Sequence, residues 1–240
     1  MVLCLLNCIF ATTKTHKILT LTLFKLISMK KNEKFVITIN RELGSGGRTI
    51  GEKLGVKLMV PFYDKALIQQ LKDQYHLTVE EIERLKGQKH NWLADFKRSM
   101  MVMPNYVAPQ YIGTPNSIPD FLLTDDIFQA ETEILKSMAD DGSCVIAGRS
   151  GFYIFRDHPN HLSILIQASM QHRIDRLIRK RRISAEEARE IITKVDEMRE
   201  NYVKKYTGTS RYDTRNYDLV INMDDHTEDE AVEIIMKYIH

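Results

Sequence analysis

An α/β fold, in which a parallel sheet of five strands is wrapped by helices on both faces, is what this sequence predicts. Five short β-branched or apolar runs alternate with helical segments, the pattern of strands buried on both sides. A glycine-rich loop joins the first run to the first helix. Sheets of this kind bind ligands outside the carboxyl ends of their strands, so residues just after each strand are the informative ones.

The elements follow in order. "FVITIN" (35–40) is the first strand, and the helix from Arg48 carries Ile50, Leu54 and Leu58 on one face at i, i+4 and i+8. "VPFYD" (60–64) is a second strand ending at Asp64. "KALIQQLKDQY" and "TVEEIERLKGQ" are helical, the latter opening with Thr78 and Glu81 at capping-box spacing. Across 88–123, Pro104, Pro109, Pro115 and Pro119 interrupt an aromatic and Met-rich stretch. A long irregular loop is expected there, either facing a substrate or simply covering the fold. "DDIFQAETEILKSMAD", after Thr124, is an amphipathic helix with acidic residues in its first turn. "SCVIAG" (143–148) and "LSILIQA" (162–168) are continuous apolar strands, and "SMQHRIDRLIRKRR" (169–182) is a strongly basic helix. Ser184 with Glu187 has capping-box spacing and starts a helix reaching about Tyr206. "YDLVIN" (217–222) is the fifth strand, and Thr227 with Glu230 caps the last helix.

A length of 240 residues suits one domain with a small inserted lobe, and 43% hydrophobic with 28% charged residues suits a globular chain with a real core. The formal net charge of +2 argues against a general polyanion binder, so any basic patch is local. Cys4, Cys8 and Cys144 are too few and too scattered for a disulfide framework or a zinc site. A reducing cytoplasm fits them. In residues 1–28, "VLCLLNCIFA" is too short to span a bilayer, and its lysines follow it, the wrong order for a secretory signal. "MKKNEK" from Met29 has the look of a cytosolic start. We expect residues 1–28 to be an extension dispensable for the fold; the alternative is a weakly membrane-associating segment.

The segment "INRELGSGGRTIGEKLG" (39–55) has the outline of a phosphate-binding loop. Such a loop needs glycines to let backbone N–H groups close around oxygens, a helix N-terminus behind them, a cation and a hydroxyl for magnesium. Gly44, Ser45, Gly46 and Gly47 supply the first, the helix from Arg48 the second, Arg48 the cation and Thr49 the hydroxyl. Against G-x-x-x-x-G-K-[ST], Glu42 stands at the first glycine and Arg48 at the lysine. Arginine keeps the charge but is not equivalent to lysine. The Glu42 carboxylate needs compensation from Arg41, Arg48 or a metal. A plain strand-to-helix turn would show the same glycines.

In the basic helix, Arg173, Arg176 and Lys180 line up at i, i+3 and i+7, and the next helix offers Asp196 with Arg199 and Tyr202 with Tyr206. Arginines closing over phosphates suit a phosphoryl-transfer lid, whereas a solvated cationic face is the bland explanation. Asp64 and Arg149 each close a strand. Asp64 could accept from a nucleobase amino group or a sugar hydroxyl, and Arg149 could hold an acceptor's phosphate; either could be a surface residue or a structural ion pair.

"NRELGSGGRTIGEKL", "PFYDKALI", "CVIAGRSGFYIF" and "KVDEMRENYVKKYTG…RNYDLVIN" together resemble the cytidylate-kinase-like family of P-loop proteins, relatives of the nucleoside monophosphate kinases. The resemblance runs from about residue 34 to 238. It implies a P-loop NTPase-type three-layer sandwich within 29–240, a substrate-binding insertion at about 65–123 and a helical lid at about 176–212. It also implies ATP and Mg2+ as cofactors and nucleotides as partners, with no nucleic acid and, for 29–240, no membrane. Residues 44–49 would hold the ATP phosphates, with Thr49 on the metal. Asp64, Arg149 and Asp196 would lie with the acceptor, and Arg48, Arg179, Arg182 and Arg199 would carry charge in the transfer. The chain departs from cytidylate kinases in having Arg48 for the loop lysine, "GRS" (148–150) for "GRD" and an unlike segment at 88–123. Transfer to CMP or dCMP is the expected activity. A non-catalytic nucleotide-binding regulator on the same fold is the alternative, and a nucleic-acid binder using 173–182 is disfavoured by the absence of interleaved aromatics. The oligomeric state is left open.

Overall fold

The computed structural model describes residues 29–65 and 125–239. The expected extension 1–28, the helices and the Thr78–Glu81 pair expected beyond Lys65, and the proline-rich stretch 88–123 lie outside the described residues.

The elements are β1 (Val36–Arg41), α1 (Gly47–Leu58), β2 (Phe62–Tyr63), α2 (Asp125–Asp141), β3 (Cys144–Ala147), the single turn α3 (Gly151–Ile154), β4 (His161–Gln167), α4 (Met170–Arg181), α5 (Ala185–Thr207), β5 (Leu219–Asn222) and α6 (Glu228–Tyr238). The sheet order is β2-β3-β1-β4-β5, and all four neighbouring pairs are parallel. The connection leaving β1 runs toward the β2 edge and the one leaving β4 toward β5. The carboxyl ends of β1 and β4 therefore flank a topological switch point, where such sheets open a crevice.

Strand residues divide between two layers because successive side chains point to opposite faces. Val36, Cys144 and Ile146 pack with Ile134, Leu135 and Met138 of α2. Ile37, Ile39, Ile164, Ile166 and Ile221 pack with Ile50 and Leu54 of α1 and with Ala231, Val232 and Ile235 of α6. The two clusters make the three-layer sandwich. A third cluster joins Ile174 and Leu177 of α4 to Ala188 and Ile192 of α5, and Leu43 of the glycine loop inserts at its edge. The α4–α5 hairpin thus carries its own small core directly above the loop.

Local chemistry sets the helix ends. Ser184 Oγ accepts from the Glu187 N–H at 3.1 Å, and Thr227 with Glu230 forms a complete capping box. Leu54 has no solvent exposure, whereas Val56, two residues on, is 80% exposed. Leu54→Ala is expected to cost about 2–5 kcal/mol in urea unfolding and Val56→Ala no more than about 0.5 kcal/mol. Equal losses would contradict this placement of α1.

Candidate functional site

The loop between β1 and α1 is built as an open cradle. Gly44 and Gly46 have φ of 88° and 89°, a left-handed backbone that glycine adopts without strain. The amides of Gly44, Gly46, Gly47 and Thr49 donate to no acceptor among the described residues, and α1 begins at Gly47 with its positive end toward the loop. Beneath, the Ser45 hydroxyl lies on the carbonyls of Glu42 and Ile166 at 3.0 and 3.1 Å, and the Glu42 N–H donates to Ile166 O. The loop is pinned from below while its upper amides stay available.

Above it lies Arg176. Its guanidinium carbon is 3.6 Å from the place a Cβ on Gly46 would occupy. Nη2 donates to the Thr49 hydroxyl at 3.3 Å, and Nη1 donates to Glu228 at the start of α6. Lys180, one turn further along α4, is exposed, and partial burial and then Arg176 push it below its ordinary pKa.

Asp196 ties the loop to the hairpin. Its Oδ1 accepts the Leu43 N–H at 3.0 Å, and Oδ2 accepts Arg173 Nη1 at 2.5 Å. Arg199 and Arg211 each reach Oδ1 at 3.4 Å and also donate to the Arg41 carbonyl. Arg211 is fully buried. Arg41, at the end of β1, is pushed down to about 9 by burial and then by Arg199 and Arg211. Arg199, itself about a third exposed, is lowered to about 10 by burial and then Arg211.

Across the crevice, Arg149 is nearly buried and left-handed, with φ of 55°. Nη2 pairs with the buried Glu131 of α2, whose Oε2 also accepts the Tyr202 hydroxyl at 2.9 Å. The Arg149 guanidinium lies 4.9 Å from the Tyr202 ring centroid, and Phe128 stacks on Tyr206 with centroids 4.5 Å apart. These contacts bind α5 to α2 and to the turn after β3.

The expected site residues are therefore disposed unevenly. Gly44, Ser45, Gly46, Gly47 and Thr49 form the cradle. Arg48 turns out of it: Nε donates to Asp64 Oδ2 at 2.7 Å, and Nη1 pairs with Glu52 at 2.8 Å. Asp64 is buried and held by this contact. Arg199 and Asp196 sit behind the loop, and Arg179 and Arg182 are exposed on the hairpin. The expectation that Arg41, Arg48 or a metal offsets Glu42 is corrected. Glu42 Oε2 instead accepts the Ala168 N–H at 3.0 Å, and Arg173 lies 3.8 Å from Oε1. A solvated face describes Arg179 and Arg182, which are exposed, but not Arg173, which is buried and paired with Asp196 of α5. Sequence reasoning passed over Arg211, which sits in a polar loop with no periodicity to mark it.

An unspent amide cradle at the switch point of a parallel sheet, with guanidinium groups above it, defines a P-loop fold of kinase-like architecture. The chain belongs to the cytidylate kinase-like family, whose model matches residues 36–225. Among solved structures, an uncharacterized protein from Eubacterium ventriosum is 24% identical, with a TM-score of 0.62 over 86% of this chain and 98% of that one. Shikimate kinase from Bacteroides thetaiotaomicron is 15% identical, with a TM-score of 0.45 over 85% and 98%. No curated protein matches the chain. No described helix is long and apolar enough to cross a membrane.

Asp196→Asn removes the charge opposite Arg173, Arg199 and Arg211. Breaking a buried pair in this way is expected to cost about 3–5 kcal/mol of stability, read from the urea midpoint. A loss under about 1 kcal/mol, the range of exposed pairs, would show that the three arginines are hydrated instead.

Proposed function

We propose that the chain moves the γ-phosphoryl group of ATP to a nucleotide acceptor, with CMP or dCMP the first candidates. The observation that carries this reading is the cradle of unspent amides beneath Arg176; membership of a cytidylate kinase-like family supports it. ATP would supply the transferable phosphoryl group, and magnesium would supply charge against its oxygens. The residues fit a phosphate chain, through the amides of 44–49, the α1 N-terminus, Arg176 and Lys180. They fit magnesium less well as arranged, because the Thr49 hydroxyl faces Arg176 and the nearby Glu228 is held by that same guanidinium. Among the described residues there is also no cluster of three His, Cys, Asp or Glu side chains suited to a metal.

Catalysis on this reading is positioning and charge stabilisation, with no covalent enzyme intermediate. The α4–α5 hairpin holds Arg176 over the donor phosphates, while Arg179 and Arg182 stand on its outer surface. Arg48 holds Asp64 oriented for an acceptor's base or sugar, and Arg199 and Arg149 face the acceptor side. Residues 176–212 as lid, 65–123 as acceptor-binding insertion, 1–28 as dispensable and the cytoplasm as the compartment belong to the same proposal. So do nucleotides, in place of nucleic acid or membrane, as the partners.

A second reading, a regulator that binds nucleotide without transferring phosphate, is favoured by one observation: Arg48 is committed to Asp64 and Glu52 and adds no cation to the cradle. Purified protein with ATP, magnesium and a panel of nucleoside monophosphates separates the two. ADP formation dependent on one acceptor is expected. Arg176→Gln should weaken ATP binding at least tenfold, the loss of a charged hydrogen bond of about 1.5–3 kcal/mol. Tight ATP binding without turnover on any acceptor would establish the regulator.

A further inference from the structure

Arg41 differs from the other arginines gathered at the carboxyl edge of the sheet. Arg48, Arg149, Arg176 and Arg199 each spend guanidinium N–H groups on a carboxylate. The Arg41 guanidinium makes no hydrogen bond or ion pair with any described residue; the carboxylate that bears on it is Asp64, which Arg48 already holds. Its side chain crosses from the end of β1 to the turn after β3, where Nη1 lies 2.0 Å from the place a Cβ on Gly148 would occupy. Gly148 is thus a seat that any other residue would fill. The guanidinium lies across the mouth between the glycine loop and the β3 turn, and only part of its side chain is buried.

The surroundings are cationic. Lys65, just past β2, is lowered to about 8 by burial and then by Arg149, Arg199 and Arg41. Arg149 and Arg199 have carboxylate partners in Glu131 and Asp196, whereas Arg41 has none among the described residues, and a partly buried charge so placed is unfavourable unless an anion joins it. Five unspent N–H groups in a planar fork suit an oxyanion taken bidentately, and several cations together suit a dianion better than a monoanion.

We propose that Arg41, seated on Gly148, is the anchor for the phosphate monoester of the acceptor. This rests on the kinase reading above. It moves the acceptor's phosphate from Arg149, whose Nη2 is taken by the buried Glu131, to a residue that the phosphate-loop pattern treats as a mere flank. Lys65 and Arg199 add charge from either side.

The test measures binding apart from turnover. Inorganic phosphate is titrated into the full chain at fixed ionic strength, followed by 31P line broadening, with and without a saturating non-hydrolysable ATP analogue to fill the cradle. Wild type is expected to bind phosphate in the presence of the analogue. Arg41→Gln should weaken that binding at least tenfold and change analogue affinity less than twofold. Arg41→Lys should recover part of it, since it keeps the stem and the charge but not the fork. The Arg41 carbonyl that Arg199 and Arg211 use is untouched in both variants, and unchanged urea midpoints confirm the fold. If Arg41→Gln binds phosphate like wild type, or wild type binds none, the proposal is wrong. If phosphate binding depends on Arg41 while no nucleoside monophosphate is phosphorylated, the anion subsite stands and the kinase reading fails.

Discussion

The carboxylate of Asp196 is the point on which the arrangement of the site turns. It fixes the glycine loop through the Leu43 amide and sets the α4–α5 hairpin above it through Arg173. One negative charge cannot offset Arg173, Arg199 and Arg211 in a medium of low dielectric. Glu42 lies 3.8 Å from Arg173, and main-chain oxygen adds the rest: the Arg41 carbonyl, at the open end of β1, accepts from both Arg199 and Arg211. A parallel sheet ends in carbonyls pointing out of its carboxyl edge, and arginine has donors enough to take them. The same edge that displays unspent amides from the loop therefore also gathers guanidinium groups. Family membership and a basic crest are two views of this one constraint.

Much of the architecture was legible because its causes are local. The five apolar runs became the five strands; burial on both faces demands unbroken apolar sequence in β1, β3 and β4, whereas the edge strand β5 leaves Val220 exposed. The capping pairs at Ser184 and Thr227 acted where expected, because a cap is settled within one turn. Strand ends shifted where side chains had other work. Tyr217 and Asp218 were expected to open β5, but the Tyr217 hydroxyl holds the Arg211 carbonyl and Asp218 accepts from the amide and hydroxyl of Ser163, so β5 begins at Leu219. The cradle was also legible, because glycines at 44 and 46 are required by their backbone angles.

The charged partners were not legible, and for one reason. Glu42 with Arg173, Arg149 with Glu131, and Arg211 with Asp196 pair residues from different elements, and no periodicity within one helix or strand records such a match. Arg48 is the instructive case. By spacing it belongs to the loop; in three dimensions Glu52 lies one helical turn away and Asp64 ends the neighbouring chain segment, and together they outbid the cradle. A motif specifies which residue types stand near a ligand. It does not specify which nearby carboxylates compete for them.

The aromatic contacts at the far end of α5 bear on how such a site could open. α5 is fixed to α4 near its start by Ala188 and Ile192, to the loop in its middle by Asp196, and to α2 near its end by Tyr206 stacked on Phe128 and by Tyr202 against Glu131 and Arg149. A helix held along its whole length cannot swing about one end without parting three unlike interfaces at once. Sliding preserves stacked rings and apolar contacts that swinging would break, so opening favours shear over hinge rotation. If residues 176–212 act as a lid, entry to the crevice would then be a matter of ångström-scale displacement along the helix axis, with the long α5 a rail more than a flap.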